Sequence, residues 1–245
     1  MNVKLLAHTQ LSSDLGNDLF LADSVYWDED YDVTDGQAVA LTAIRTCYSP
    51  GKPSEIVAKE GAKYFGQQAT DGERGTEADR LFRMIVRSGH TSTLEHLSFT
   101  FAIEGVSRAL LAQLTRHRVG FSYSVQSQRY VKFGSGDRSG GFDYVVPETV
   151  AKNEVALQAF HGLMDVAQSW YDDLRTLGIP AEDCRAVLPN AAATNLVMTA
   201  NLRAILEFYS KRKPGKGAQA EIAQLAESLK QAVIDVEPWT EPFFN

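Results

Sequence analysis

The sequence predicts an α+β fold in which helices pack around a small, mostly antiparallel sheet. Three observations lead there. Apolar residues at helical spacing fill most of the chain, as in Leu157, Phe160, Met164, Ala167, Trp170 and Leu174. A shorter stretch changes period: Leu97, Phe99, Phe101 and Ile103 alternate with Ser98, Thr100, Ala102 and Glu104, which buries one face of a strand. No internal repeat and no flexible linker interrupts the 245 residues, so 1–245 reads as a single domain.

In chain order, Val3 to Ala7 reads as a strand, and the rest of the first 34 residues as irregular chain, acidic at Asp28-Glu29-Asp30. Gly36 to Tyr48 has helical spacing and ends at Pro50-Gly51. Ser54-Glu55 suits the cap of a second helix. A third runs from Glu77 to Ser88 with Leu81, Met84 and Ile85 on one face, stopped by Gly89. After the strand from Leu97, Ser107 to His117 turns helical through Leu110, Leu111 and Leu114. Val119 to Phe133 reads as loop then strand, and 134–141 as a hairpin turn before Phe142 to Val146. One long helix is expected from Pro147 to Gly178, its stripe including Leu163, Trp170 and Leu177. Pro180 opens a shorter helix ending near Pro189. Thr194 to Ala200 reads as a strand, Asn201 caps a helix to Arg212, and Ala218 to Val236 forms the last helix.

Composition narrows the function. With 44% hydrophobic and 22% charged residues, the chain is neither disordered nor collagen-like. Twenty-four basic against 31 acidic residues give −7, which argues against wholesale nucleic-acid binding and makes any phosphate site a local arginine cluster. No apolar run approaches the ~18 residues of a membrane span. Met1 to Asp14 lacks the pattern of a secretory signal. Two cysteines, Cys47 and Cys184, make neither a disulfide framework nor a four-ligand zinc site, which suggests the cytoplasm and no metal.

Polar chemistry concentrates in three regions. From Gln113 to Tyr130, 18 residues hold three arginines (Arg116, Arg118, Arg129), His117, three glutamines and three serines. Cations at a helix C-terminus complement the dipole, but the density continues beyond the helix. Guanidinium groups bind phosphate bidentately, and several together mark a polyanion. The second region is Ser88 to His96. His90 and His96 are six apart, not the four that a helical zinc motif needs, while Glu95-His96 sits at the mouth of an apolar strand. The third joins Cys184-Arg185 to Asn201, Arg203, Glu207 and Arg212; Arg203 and Glu207, one turn apart, suit a surface ion pair. The glycine-rich loop 134–141 lacks dinucleotide-fingerprint spacing.

Taken together, these regions resemble the flavin-dependent thymidylate synthases. Arg116-His117-Arg118, a spacer, and Ser127-Gln128-Arg129-Tyr130 match that family's motif, the spacer Val119 to Gln126 being one residue longer than its pattern. Gly89-His90 to Glu95-His96, Ser107-Arg108, Ala186 to Pro189 and Asn201 to Ala204 follow in the family's order. The resemblance implies that family's fold and the synthesis of dTMP from dUMP. Methylenetetrahydrofolate would supply the carbon, FAD relay electrons and NADPH serve as reductant, in a homotetramer with shared active sites. Carried over by position, Gln113, Arg116, Ser127, Gln128, Arg129 and Arg185 would bind dUMP, with Ser124, Val125 or Gln126 taking the spacer's contacts; Gln126 is assigned to the dUMP set. His90, Ser92, Arg116, His117, Arg118, Asn201, Arg203 and Glu207 would bind FAD, Glu207 replacing an amide or histidine-type residue. Arg212 aligns with the arginine that favours N3 ionisation of the uracil, and would also bind dUMP. No Pro-Cys nucleophile motif is present, and Ser127, a hydroxyl without an adjacent base, suits binding rather than attack. Two other readings compete: a non-catalytic flavin- or nucleotide-binding homologue, and a flavin- and folate-dependent RNA uracil methyltransferase. The second wants a basic face and a dinucleotide fingerprint that the sequence does not offer.

Overall fold

A computed structural model describes residues 1–22 and 33–245. The acidic run Asp28 to Asp30 lies outside them. The fold is α+β, with a four-stranded antiparallel sheet in the order β1-β2-β4-β3. Along the chain come β1 (Asn2–His8), α1 (Ser13–Leu21), α2 (Asp35–Thr46), α3 (Ile56–Phe65), α4 (Glu77–Ser88), β2 (Ser98–Ser107), α5 (Arg108–Leu114) and β3 (Phe121–Val125). They are followed by α6 (Glu148–Ala151), α7 (Glu154–Thr176), α8 (Ala181–Cys184), β4 (Ala193–Asn201), α9 (Leu202–Arg212) and α10 (Ala220–Ile234). The described chain falls into two compact units. The first comprises Met1–Lys4, Phe101–Met198 and Arg212–Glu227; the second comprises Leu5–Thr100, Thr199–Lys211 and Ser228–Asn245.

Sheet register follows from side-chain pairs. Thr100 and Thr199 share a hydroxyl hydrogen bond of 2.9 Å, and the Gly105 amide donates to Asn195 Oδ1 at 2.9 Å. Moving forward along β2 therefore moves backward along β4, the antiparallel arrangement. Alternation holds as expected: Phe99, Phe101 and Ile103 of β2, and Leu196, Met198 and Ala200 of β4, are buried.

In the second unit, α4 has the bounds its sequence predicts. Thr76 and Asp79 form a reciprocal capping box at its start, and Gly89, at φ 75°, ends it in the left-handed region that a side chain disfavours. Its buried face is Ala78, Leu81, Phe82 and Ile85, whereas Met84 is exposed, so the expected face is rotated. Each large side chain so buried contributes ~1.5–3 kcal/mol. Two further corrections belong here. Residues 13–21 are helical rather than irregular, because the Ser12 side chain caps the Leu15 amide at 3.3 Å. Ser54 lies inside a 3-10 turn, Pro53–Glu55, and makes no cap. Near the chain's end the buried Glu237 carboxylate accepts from the Thr34 hydroxyl, the Gly36 amide at 3.2 Å and the Trp239 indole at 2.6 Å.

In the first unit, Phe133, Tyr171 and Cys184 form a cluster with Phe142, Leu174 and Ile179 around it. The Tyr171 hydroxyl accepts from the Phe133 amide at 3.1 Å. Here the sequence reading needs five changes. The strand of the 119–133 stretch comes early, at β3, with no strand beyond it. Segment 134–141 is not a hairpin; it folds onto α7 through Ser135, whose amide and hydroxyl both donate to the Asp172 carboxylate. The expected helix from Pro147 to Gly178 is two, since Asn153 leaves helical geometry to cap Ala156. Pro180 is the cap residue before α8, and Leu163, Trp170 and Leu177 of the expected core stripe are exposed.

Candidate active site

All residues assigned to dUMP fall in the first unit. Gln113 and the Arg-His-Arg run follow from α5, whose cap is Ser107: its hydroxyl accepts from the Leu110 amide at 3.0 Å. The Glu221 carboxylate receives both the Ser107 amide and hydroxyl, tying this helix start to α10. Beyond the helix the chain turns through 115–120 into β3. The Tyr123 hydroxyl, donating toward the carbonyls of Leu114 (3.0 Å) and His117 (2.7 Å), fastens that turn, and burial pushes its phenol well above the usual value.

The turn presents cations. Among the described residues, the guanidinium groups of Arg116 and Arg118 hold no hydrogen bond or ion pair and are exposed. Arg212 Nε donates to His117 Nε2 at 3.2 Å, which fixes that imidazole nitrogen as an acceptor and orients the guanidinium. Gln113 spends its amide hydrogens on Ala109 O and Gln219 Oε1, leaving its own carbonyl oxygen. Gln126 is tied to β4: its amide donates to Asn195 O at 2.9 Å. Ser127 Oγ accepts from the Arg129 amide at 3.2 Å, Gln128 is buried, and Arg129 forms a 2.6 Å ion pair with Glu182 while lying over the Tyr130 ring. Arg185 is exposed on the 3-10 turn after α8.

The residues assigned to FAD are divided by membership: Arg116, His117 and Arg118 in the first unit, His90, Ser92, Asn201, Arg203 and Glu207 in the second. In the second unit, His90 Nδ1 and the Tyr48 hydroxyl are 3.0 Å apart, and Ser92 is exposed on a 3-10 turn, Thr91–His96. Asn201 Oδ1 accepts from the Ala204 amide at 2.9 Å, the cap its sequence implies. The expected Arg203–Glu207 pair does not form. Arg203 reaches Glu95 at 2.5 Å and Glu207 reaches Lys211 at 2.5 Å, because the turn spacing serves Glu207 and Lys211 equally well. Neither cysteine stands among these residues. Cys184 is fully buried with its thiol toward Ile179 O, and Cys47 is exposed at the end of α2 in the second unit. Among the described residues no cluster of His, Cys, Asp or Glu has the makings of a metal site, and no helix is long and apolar enough to cross a membrane.

The family model described as "Thymidylate synthase complementing protein" matches residues 30–239. A flavin-dependent thymidylate synthase of Geobacter sulfurreducens is 40% identical over 204 residues, 83% of this chain and 80% of its own length. One of Nitratidesulfovibrio vulgaris is 40% identical over 210 residues, 82% and 79% of the two chains. The chain belongs to the flavin-dependent thymidylate synthases. It is an enzyme, and a methyltransferase. Solved structures extend the likeness of fold to the whole chain. A UMP/dUMP methylase of Streptomyces cacaoi, PolB, solved with 5-Br dUMP, has a TM-score of 0.69 at 21% identity, covering 99% of this chain and 93% of that one. The Helicobacter pylori flavin-dependent thymidylate synthase, solved with FAD and dUMP, has a TM-score of 0.62 at 22% identity, covering 100% and 98%.

For a flavin-dependent thymidylate synthase, the structure singles out one residue that the sequence reading names only within the matching Ser107-Arg108 segment and gives no role. Among the described residues, Arg108 Nη1 is buried with no hydrogen-bond partner. Burial first, and the positive charge of Arg185 second, pull its guanidinium below the usual arginine value. A half-buried cation with one nitrogen unsatisfied, beside a second cation, is favoured by an anion. The available signal was a lone cation at the first turn of α5, eight residues before Arg116 on a mostly apolar helix.

Proposed function

We propose that this enzyme makes dTMP from dUMP, with methylenetetrahydrofolate as carbon donor, FAD as bound flavin and NADPH as reductant, in a cytoplasmic homotetramer. In this reading 1–245 acts as one catalytic domain. The observation that carries it is the hydrogen bond from Arg212 to His117, which joins the arginine assigned to the uracil to the Arg-His-Arg motif. Arg108 and Arg185 suit the nucleotide phosphate: the orphaned donor of one and the exposed fork of the other call for a dianion. Ser127, Gln128, Gln126, Arg129, Gln113 and Arg116 bind and orient the rest of dUMP.

Arg212 is the catalytic residue. Electron density at C5 of the uracil rises when N3 loses its proton, and a fixed cation at the ring favours that ionised form. Arginine keeps its charge when desolvated, and with Nε held by His117 its two Nη groups remain for the base. A covalent cysteine adduct is the other route to an activated C5, and the full burial of Cys184 argues against that residue as the nucleophile.

The residues present fit an anionic cofactor. Arg116 and Arg118 hold no partner among the described residues, and with Asn201, Arg203, His117, Ser92, His90 and Glu207 they would hold FAD. The flavin, when bound, supplies the two-electron chemistry that no side chain can. Four copies near four times 27.0 kDa are expected, with sites shared between subunits. The test is tritium release from 5-tritiated dUMP with FAD, methylenetetrahydrofolate and NADPH. Release that depends on all three supports the reading. A flavin band that shifts with dUMP, without release, would leave a non-catalytic binder.

A further inference from the structure

A cavity of about 740 Å³ opens in the first unit between the start of α5, the start of α10 and segment 145–149. That volume lies within the ~300–1,000 Å³ of small-molecule sites. None of the residues assigned to dUMP or FAD lines it. Its walls are tied to one another. The Ala109 amide donates to Asn190 O at 3.0 Å, the Val145 amide to Ala191 O at 2.9 Å, and the Ser107 amide to Glu221 at 2.7 Å. The cavity therefore stands ready-formed, as ligand sites usually do.

Its lining is apolar with neutral polar groups. Ala109, Val145, Val146, Pro147, Ala191 and Ala220 supply the apolar surface. Among the described residues, the side-chain amides of Asn190 and Gln224 hold no hydrogen bond, and Gln219 has only its Oε1 engaged, by Gln113 at 2.5 Å. No lysine or arginine lines the cavity, and both acids are occupied: Glu148 by Lys152, Glu221 by Ser107. Free amides in a cation-free apolar slot suit a neutral heteroaromatic ring. A carboxamide pairs its donor and acceptor with the edge of a base such as adenine.

Cations stand just outside. Lys216 precedes Gln219 by three residues, so the two Cα atoms are within ~11 Å of each other. Among the described residues, neither Lys213 nor Lys216 meets an acid. Between and after them Gly215 and Gly217 have φ of 79° and 72°, and a side chain at either would meet nothing within 4 Å. The loop's backbone is thus open to a phosphate. A slot for a base beside free cations is the pattern of a nucleotide site. The chain also lacks a glycine-rich dinucleotide fingerprint, so a dinucleotide must be held by other means. We propose that this cavity seats the adenine of the NADPH reductant, with its phosphates on Lys213 and Lys216 and its nicotinamide end left for the flavin. This deepens the function proposed above and rests on it for the identity of the dinucleotide.

The test uses the FAD-loaded enzyme and 2′,5′-ADP, which is the adenosine end of NADPH alone. It should bind the wild type in calorimetric titration and compete with NADPH in turnover. Ala220→Trp, which fills the cavity from an exposed position, should raise KM for NADPH at least about tenfold. Gln224→Ala should raise it about two- to tenfold, for one lost hydrogen bond. Lys216→Gln should weaken 2′,5′-ADP in the same direction. Both cavity variants should keep their FAD. With dithionite in place of NADPH, a reagent that reduces the flavin directly, both should release tritium from 5-tritiated dUMP as the wild type does. A wild-type KM for NADPH in both variants would overturn this inference, as would 2′,5′-ADP that binds without competing. Loss of FAD from either variant would overturn it too, and make the cavity the flavin's. A wild-type enzyme that releases no tritium with either reductant would instead overturn the function proposed above.

Discussion

Replacing Arg108 by Met separates the needs of the fold from those of the ligand. Methionine matches the length of the arginine stem and removes the charge. In the ligand-free chain the guanidinium has one nitrogen, Nη1, buried without a partner, and the charge of Arg185 opposes it. An unsatisfied buried donor costs ~1–3 kcal/mol. The rest of the group is only half-buried, so the lower figure applies, and Arg108→Met should stabilise the free enzyme by about 1 kcal/mol. For a chain of this size that raises Tm by ~2–4 °C. The nucleotide sees the opposite. A hydrogen bond between charged groups contributes ~1.5–3 kcal/mol, so dUMP affinity should fall by roughly 10- to 150-fold. Thermal scans without ligand and calorimetric titration with dUMP measure the two effects. Deoxyuridine, which lacks the phosphate, should bind both proteins alike. An Arg108→Met enzyme that melts earlier and binds dUMP as the wild type does would refute the assignment and make Arg108 a structural residue.

Arg212→Ala should lower turnover by ~10²–10³, with partial rescue by lysine, whereas Ser127→Ala should raise KM for dUMP tenfold or less. Steady-state kinetics of both checks this, and a dead Ser127→Ala beside an active Arg212→Ala would reverse the roles. Tyr123→Phe removes the hydroxyl that fastens the turn at Leu114 and His117, so it should cost ~1–3 kcal/mol in urea unfolding. Burial raises the Glu237 carboxyl above the ordinary glutamate value. Its folded form therefore holds the proton more tightly than its unfolded form, and its contribution to stability, full below the ordinary range, is lost as pH rises through the raised value. Glu237→Gln should flatten that fall of Tm with pH, and an unchanged slope would exclude Glu237 as its source.

Much of this fold is legible because local chemistry agrees with the tertiary outcome. The stop at Gly89, the cap at Asn201 and the alternation from Phe99 to Ile103 are short-range signals that packing reinforces. The start of α1 was hidden, since Gly16, Asn17 and Asp18 dilute its apolar spacing and only the Ser12 cap declares it. On α7 periodicity shows which residues share a face, but not what covers that face, and Leu163, Trp170 and Leu177 were credited to the core for that reason. The site divides similarly. The motif's order proposes the cast of residues, and the two ion pairs that replace Arg203–Glu207 depend on the three-dimensional position of Glu95 and on the choice of Lys211. Arg108 was hidden because an orphaned nitrogen is a property of burial, which spacing does not record.

The pairing state of the arginines sets an order of engagement for the ligands. Arg129 and Arg203 carry resident acids, Glu182 and Glu95, and each ion pair has both side chains more than two-fifths exposed. Exposed pairs of this kind contribute ~0–1 kcal/mol, so a phosphate or flavin oxygen arriving there would displace the acid at small cost. Among the described residues Arg108, Arg116, Arg118 and Arg185 have no such acid, and an anion at Arg108 would give its buried nitrogen the partner it lacks there. On the proposed function, anionic groups would bind most favourably at these cations, and exchanges at Arg129 and Arg203 would follow as adjustments around a ligand already held. In a chain of net charge −7, arginines that meet no acid among the described residues depart from local consistency, as residues of functional sites commonly do.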